Sequence, residues 1–223
     1  MPKPSAPLPR QLADLSYAAY LEPFQGRRLE PDAAYDSVHL DGGAFEGDEA
    51  GGARFIEAAL SGVSLTSVGL RQARLNDVWL QGVRLVGCDA AESSWLDAEV
   101  GQSVLAGLEL WGAGLRRVVF HHCKFDSVNL RGAKLTEVWF VDCVLKEVDF
   151  GGAALQQVSF PGSTLDAVHL DQARLRDVDL RQAVRIDLAS GVEALRGSTI
   201  TGHQLLDLAP AFAQALGVRV ADA

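Results

Sequence analysis

Reading every fifth residue from Phe55 gives Phe55, Leu60, Leu65, Leu70, Leu75 and Leu80, and the row runs without a slip to Leu180. Its 26 positions carry no charge. Two residues before each lies a second row of small side chains, Ala53, Ala58, Val63, Val68 and onward to Val178, in which only Leu108 is large. Tyr35, Leu40 and Phe45, with Ala33, Val38 and Gly43, continue the phase upstream, so the array begins near residue 33. Its weakest stretch is Glu46 to Gly52. A period of five suits neither the 3.6 of a helix nor the 2 of a flat strand, so the chain must turn at a fixed interval and keep turning. Each five-residue side points one large apolar residue inward, fills a corner with a small one and leaves three positions for water. Four sides close a coil of 20 residues, which predicts an all-β solenoid. Tyr35 to Leu180 make 30 sides, or 7.5 coils, and a rod of about 36 Å at ~4.8 Å per strand. Residues 20 apart then stack, placing Phe120, Phe140 and Phe160 in an aromatic ladder and Cys123 beneath Cys143.

Segments such as Ala133-Lys134-Leu135-Thr136-Glu137 and Ala173-Arg174-Leu175-Arg176-Asp177 resemble the pentapeptide repeat proteins, whose motif is a small residue, a polar residue, Leu or Phe, and two variable residues. The resemblance covers residues 33–183, roughly two thirds of the chain. It implies a right-handed quadrilateral β-helix. It also implies a protein-binding role, because several members bind DNA gyrase or topoisomerase IV in the manner of duplex DNA and protect them from quinolones. The unbroken phase here lacks the interrupting loops of the plasmid-borne quinolone-resistance type.

The flanks differ in composition. Residues 1–32 open with Pro2, Pro4, Pro7 and Pro9 and then a short helical stretch around Leu12, Leu15, Ala18 and Ala19, read as a disordered tip followed by a cap for the first coil. In residues 184–223, Thr201-Gly202-His203 opens an amphipathic segment with Leu205, Leu208, Phe212 and Leu216 at helical spacing. Pro210 is a candidate break, Gly217 suits a C-terminal stop, and Val218-Arg219-Val220 is strand-like. Solenoids need end caps. The alternative is that Leu205, Leu208, Phe212 and Leu216 form a homodimer contact, as the C-terminal end does in the gyrase-protecting members that the segment resembles.

Composition narrows the chemistry. The 223 residues are 48% hydrophobic but only 7% aromatic with one Met, so the core is built from small and branched side chains. A net charge of −9 argues against a direct nucleic-acid partner. No window approaches 18 apolar residues and the first residues lack the apolar stretch of a secretory signal, so a cytoplasmic protein without a membrane partner is expected. Cys88, Cys123 and Cys143 suit neither a disulfide framework nor a zinc module. In His121-His122-Cys123 the cysteine falls inward and both histidines outward, so the three do not converge on a metal. A filled interior leaves no room for an active site or a cofactor, and none is expected.

Columns of residues 20 apart describe the outer surface. Arg54, Arg74, Lys134 and Arg174 are expected to neutralise Glu57, Asp77, Asp97, Glu137 and Asp177. Asp89, Glu109, Asn129 and Asp149, with Glu92 beside them and Arg131 close by, form an acidic stripe. Trp79, Trp139 and Trp111 fall on outward positions and mark a contact surface. These residues point to a non-catalytic protein-binding rod, read as a DNA mimic for a type II topoisomerase. A scaffolding module without DNA mimicry is the alternative.

Overall fold

The computed structural model describes residues 6–221, and over most of that length the backbone turns a corner every five residues. The corner has a fixed cause: the second residue after each central one from Tyr35 to Leu175 has positive φ, as at Gly62 (61°), Ser67 (52°), Gln72 (57°) and Asp77 (52°). Such a left-handed residue redirects the chain by a turn no extended residue can make. Glycine adopts it freely, while Asp, Gln, Ser and Glu adopt it at a cost. Between corners lie short strands, most of three residues, such as Arg54–Ile56, Arg74–Asn76 and Arg84–Val86.

Pairing is parallel with partners 20 residues apart. On the first face Tyr35, Phe55, Leu75, Trp95, Leu115, Leu135, Leu155 and Leu175 follow one another level by level. The third face stacks Phe45, Leu65, Leu85, Leu105, Phe125, Leu145 and Leu165. On the second face Pro23, His39, Ala59, Trp79, Glu99, Val119, Trp139, Ser159, Asp179 and Thr199 pair in sequence. Those ten levels make a parallel β-solenoid of nine turns, about 43 Å long at ~4.8 Å per level. The rod exceeds the expected 7.5 coils because each end adds strands outside the repeat. Glu22–Pro23 pairs below the first coil, while Arg185–Ser190 and Ser198–Thr199 pair above the last.

Both inward rows are buried except near their ends, at Ala33, Val38, Gly43 and Leu175, and Phe120, Phe140 and Phe160 stack with centroids 5.1 and 5.0 Å apart and planes within 8°. Cys123 lies beneath Cys143, its N–H 3.4 Å from the Cys143 sulfur, and all three cysteines are free. Leu108, the large residue in the small row, has a reason. One coil below it on the fourth face Ala90 stands where Leu or Phe usually does, and Leu108 and Trp95 line the space this leaves. What remains there is an apolar void of about 20 Å³, too small and too apolar for a bound molecule.

The weak stretch at residues 46–52 is explained by Asp48, which occupies a small-row position yet is buried. Its carboxylate accepts the Leu29 N–H at 2.8 Å and faces Arg28 Nε at 3.3 Å, closing the bottom coil, while Phe24 packs edge-on against Tyr35 and Phe45. At the other end α1, Gly202–Ala215, is capped by Thr201, whose hydroxyl accepts the Gln204 N–H at 3.1 Å. Gln204 in turn donates to the carbonyls of Leu180 and Ala183, pinning the helix to the last coil. Pro210 does not break α1; it is exposed, so water can replace the bond it lacks.

Candidate protein-binding surface

The acidic stripe runs up the fourth face in the expected register, Asp89 beside Glu109, Glu109 beside Asn129, and Asn129 beside Asp149. Glu49 begins the same column below Gly69, and sequence reasoning missed it because it falls in the weak stretch. The structure also supplies a local reason for these side chains. Asp89, Asn129 and Asp149 each accept the backbone N–H two residues on, at 3.0, 3.1 and 2.7 Å, which tightens the corner that follows. Glu109 takes the Asn129 amide at 2.6 Å, and Gln72 donates to Glu92 at 2.9 Å. Two cations are interleaved: Arg71 meets Asp89 at 3.2 Å and Arg131 meets Asp149 at 3.0 Å. All four side chains are well hydrated, so each pair contributes under about 1 kcal/mol and leaves the face acidic.

The ladder expected on the first face does not form. Among the described residues Arg54, Arg74, Lys134 and Arg174 make no ion pair with Glu57, Asp77, Glu137 or Asp177; Asp97 pairs with Arg117 and Asp177 with Arg176 instead. Arg117, one level above Asp97, forms a two-bond pair with it at 2.5 and 2.6 Å. That contact holds the Asp97 carboxyl below its ordinary range. Burial and the neighbouring Asp97 push the Asp77 carboxyl upward. Glu57 and Glu137 are in no ion pair among the described residues, so the corner between the first two faces carries a second acidic column.

The three tryptophans separate. Trp111 is 39% exposed, and the Arg71 guanidinium reaches past Ala91 to sit 5.3 Å from its ring. Trp139 is half-buried. Trp79 is not a contact surface: it is 5% exposed, although its register is outward. Residues 10–21 cross the second face as a strap. Leu15 and Tyr17 pack on Ala59 and Trp79, and the Trp79 indole donates to the Arg10 carbonyl at 3.2 Å. Arg10 then grips Glu99 through its N–H and Nε at 2.7 and 2.6 Å. The short helical stretch exists, as single turns at Leu12–Asp14 and Ala18–Tyr20, but it covers a side of the rod rather than only its end. Burial pushes the Tyr17 hydroxyl up to about 12. The disordered tip expected at the start falls largely on residues 1–5, outside the described residues.

His121 is buried despite its outward register, and neither ring nitrogen has a hydrogen-bond partner. Desolvation lowers its pKa from 6.5. His122 is exposed, and among the described residues no cluster of His, Cys, Asp and Glu is arranged to hold a metal.

The C-terminal apolar residues divide as well. Leu208 is buried and Phe212 packs on the core, so both cap the last coil. Leu205 and Leu216 face water at 49% and 79%, beside Leu206 and the exposed Val218 and Val220. No helix is long and apolar enough to cross a membrane.

The chain is a parallel solenoid with a packed interior and charged outer columns. Residues 113–187 match the family model described as a pentapeptide repeat region. The same five-residue register continues below them toward residue 33. Among solved structures the chain is similar to HetL, a pentapeptide repeat protein involved in heterocyst differentiation regulation in the cyanobacterium Nostoc sp. strain PCC 7120. Identity is 18%, coverage 79% of this chain and 86% of that one, and the TM-score 0.48. It is also similar to a trypsin-treated variant of QnrB1, a plasmid-mediated fluoroquinolone resistance protein, at 16% identity, 91% and 98% coverage and a TM-score of 0.49. Among curated proteins none matches.

Proposed function

We propose that this protein is a non-catalytic binding rod whose carboxylate columns occupy the DNA-binding cleft of a type II topoisomerase, DNA gyrase or topoisomerase IV. The observation that carries the reading is the pair of acidic columns, Glu49 to Asp149 on the fourth face and Glu57 to Asp177 at the first corner, on a rod about 43 Å long. Duplex DNA carries one charge per about 1.7 Å of axis. Nine net charges over the rod give one per about 5 Å, a field near one third as dense. Association should therefore weaken with salt less steeply than association of DNA with the same cleft.

The reading includes a homodimer through the C-terminal end. Its support is the apolar surface that capping leaves over, Leu205, Leu206 and Leu216 on α1 with Val218 and Val220 after it. An isologous contact there would double the rod.

A supercoiling assay tests the partner. Micromolar protein should inhibit gyrase or relieve its poisoning by a quinolone, and Glu92→Lys with Glu109→Lys should abolish the effect while the fold persists. No effect of the unmodified protein leaves the second reading, a scaffold for an unrelated protein. That reading is favoured by the structural tasks of Asp89 and Asp149 in turning corners and pairing with Arg71 and Arg131.

A further inference from the structure

At the C-terminal end the four faces do not stop together. The second face continues through Ser198–Thr199, the third through Arg185–Ser190, and the fourth ends with Leu170 donating to Ser190 at 3.1 Å. The first face ends one level earlier, at the strand Arg174–Arg176, which pairs only with Ala154–Gln156 beneath it. Where its cover would lie, the chain cuts across the corner as the single turn Val192–Leu195.

Backbone bonding shows the consequence. Lower on the rod the residue at the corner between the fourth and first faces donates upward in every coil: Gln72 to Ala91, Glu92 to Trp111, Gly152 to Asp171. The residue after the strand does the same, Asp77 to Leu96 and Gln157 to Arg176. Among the described residues these series stop at Gln172 and Asp177, whose N–H groups find no backbone acceptor, and nothing donates to the Ala173 carbonyl as Arg174 donates to that of Ala153. The sheet edge is thus left open only in part, two donors and an acceptor within six residues, while Gly197 closes on the Leu175 carbonyl between them.

This edge borders a concavity of about 480 Å³. Its floor is Leu175, the one central residue of the first face between 35 and 175 that is not fully buried. Its far bank is Glu193, Arg196 and Gly197. Arg174 and Arg196 are exposed and, among the described residues, in no ion pair, while Arg176 has only a loose contact with Asp177 at 3.8 Å. Arg174 and Arg196 against Glu193 leave the concavity's lining with one net positive charge on a protein of net charge −9.

We infer that this partly open edge is a docking site for an extended acidic peptide, which pairs with the free donors and acceptor, sets an apolar side chain against Leu175 and places carboxylates between Arg174 and Arg196. The edge supplies main-chain bonds, the floor selects alternate residues, and the charge selects sign, the division of labour of strand addition. This site lies apart from the acidic columns and does not depend on the topoisomerase reading.

A fluorescein-labelled hexapeptide alternating Val with Asp or Glu, titrated against the full chain and followed by anisotropy, tests the inference. Binding below about 100 µM is expected, with a Lys-for-acid peptide at least tenfold weaker. The Arg174→Glu, Arg196→Glu double variant alters exposed side chains only and should also weaken binding at least tenfold, as should N-methylation of alternate peptide nitrogens, which blocks strand pairing without changing charge. No binding at 1 mM overturns the inference. So does equal binding of the N-methylated peptide, which would reduce the site to charge alone, or equal binding by the double variant, which would place the peptide elsewhere.

Discussion

Phe140 tests the register at its centre. The ring is fully buried, stacks on Phe120 at 5.1 Å and on Phe160 at 5.0 Å, and meets Phe125 edge-on at 5.5 Å. Phe140→Ala removes a buried ring, a loss of about 3–5 kcal/mol from transfer and cavity terms. Three ring contacts of about 0.5–1.5 kcal/mol each place the result at the upper end, near 5 kcal/mol. A compact domain would record this as a uniform shift. In a rod whose coils touch only their neighbours, the damage stays at one interface and can split the cooperative unit. Urea unfolding should therefore show a lower midpoint and a smaller or biphasic m-value, and hydrogen exchange should accelerate first in residues 120–160. Phe140→Asp should fail to fold, since it buries a carboxylate without a partner. Trp139→Asp, one residue away on the outward row and half-buried, should fold and cost far less. A Phe140→Ala loss under about 2 kcal/mol, or equal losses for the two Asp variants, would refute the alternation of inward and outward positions argued here.

Ala167 holds φ at 50° with no side chain to repay the strain, so Ala167→Gly should gain about 0.5 kcal/mol net and raise Tm by 1–2 °C in calorimetry. Gly107 at φ 56° is the mirror case, and Gly107→Ala should lower Tm by a similar amount. His121 is held neutral by burial, its folded pKa below 6.5. The unfolded chain therefore takes up the proton first, and stability should be intact above pH 6.5 and fall as pH drops through the folded pKa, a dependence that His121→Phe removes in urea titrations at pH 5 and 7.5. Deleting residues 203–223 should turn a dimer into a monomer by sedimentation, and an intact protein that already sediments as a monomer at tens of micromolar would leave α1 a cap.

What the sequence made legible is what repetition encodes. The inward rows, the phenylalanine ladder and the columns of residues 20 apart follow from the period of five because one interval sets both side length and register. The strap was illegible for the opposite reason. Arg10 and Glu99 are 89 residues apart, and nothing in the pattern around either marks the other. Trp79 was read as exposed because register tells which way a side chain leaves the coil but not what else lies over it. The acidic stripe was visible, yet its corner-turning bonds and its pairing with Arg71 were not, since Arg71 reaches upward from a different column. The uneven top of the rod was hidden too, because the chain leaves its period after residue 183, where Thr164 pairs with Arg185, 21 residues on.

The strap also changes how the rod would come apart under load. Most of its bonds join one coil to the next, so pulling on the C-terminal end should peel α1 and then successive coils as separate small events. At the N-terminal end the chain doubles back from Pro23, beside His39, to Arg10, beside Glu99, and so stitches four levels into one piece. There the first resistance is the Arg10–Glu99 fastening and the seat of Tyr17 and Leu15 on Trp79, and the levels beneath are spared until it yields. The protein is in this sense a ratchet with one locked end: a machine that threads and unfolds proteins would meet a single high barrier from one terminus and a flight of low steps from the other.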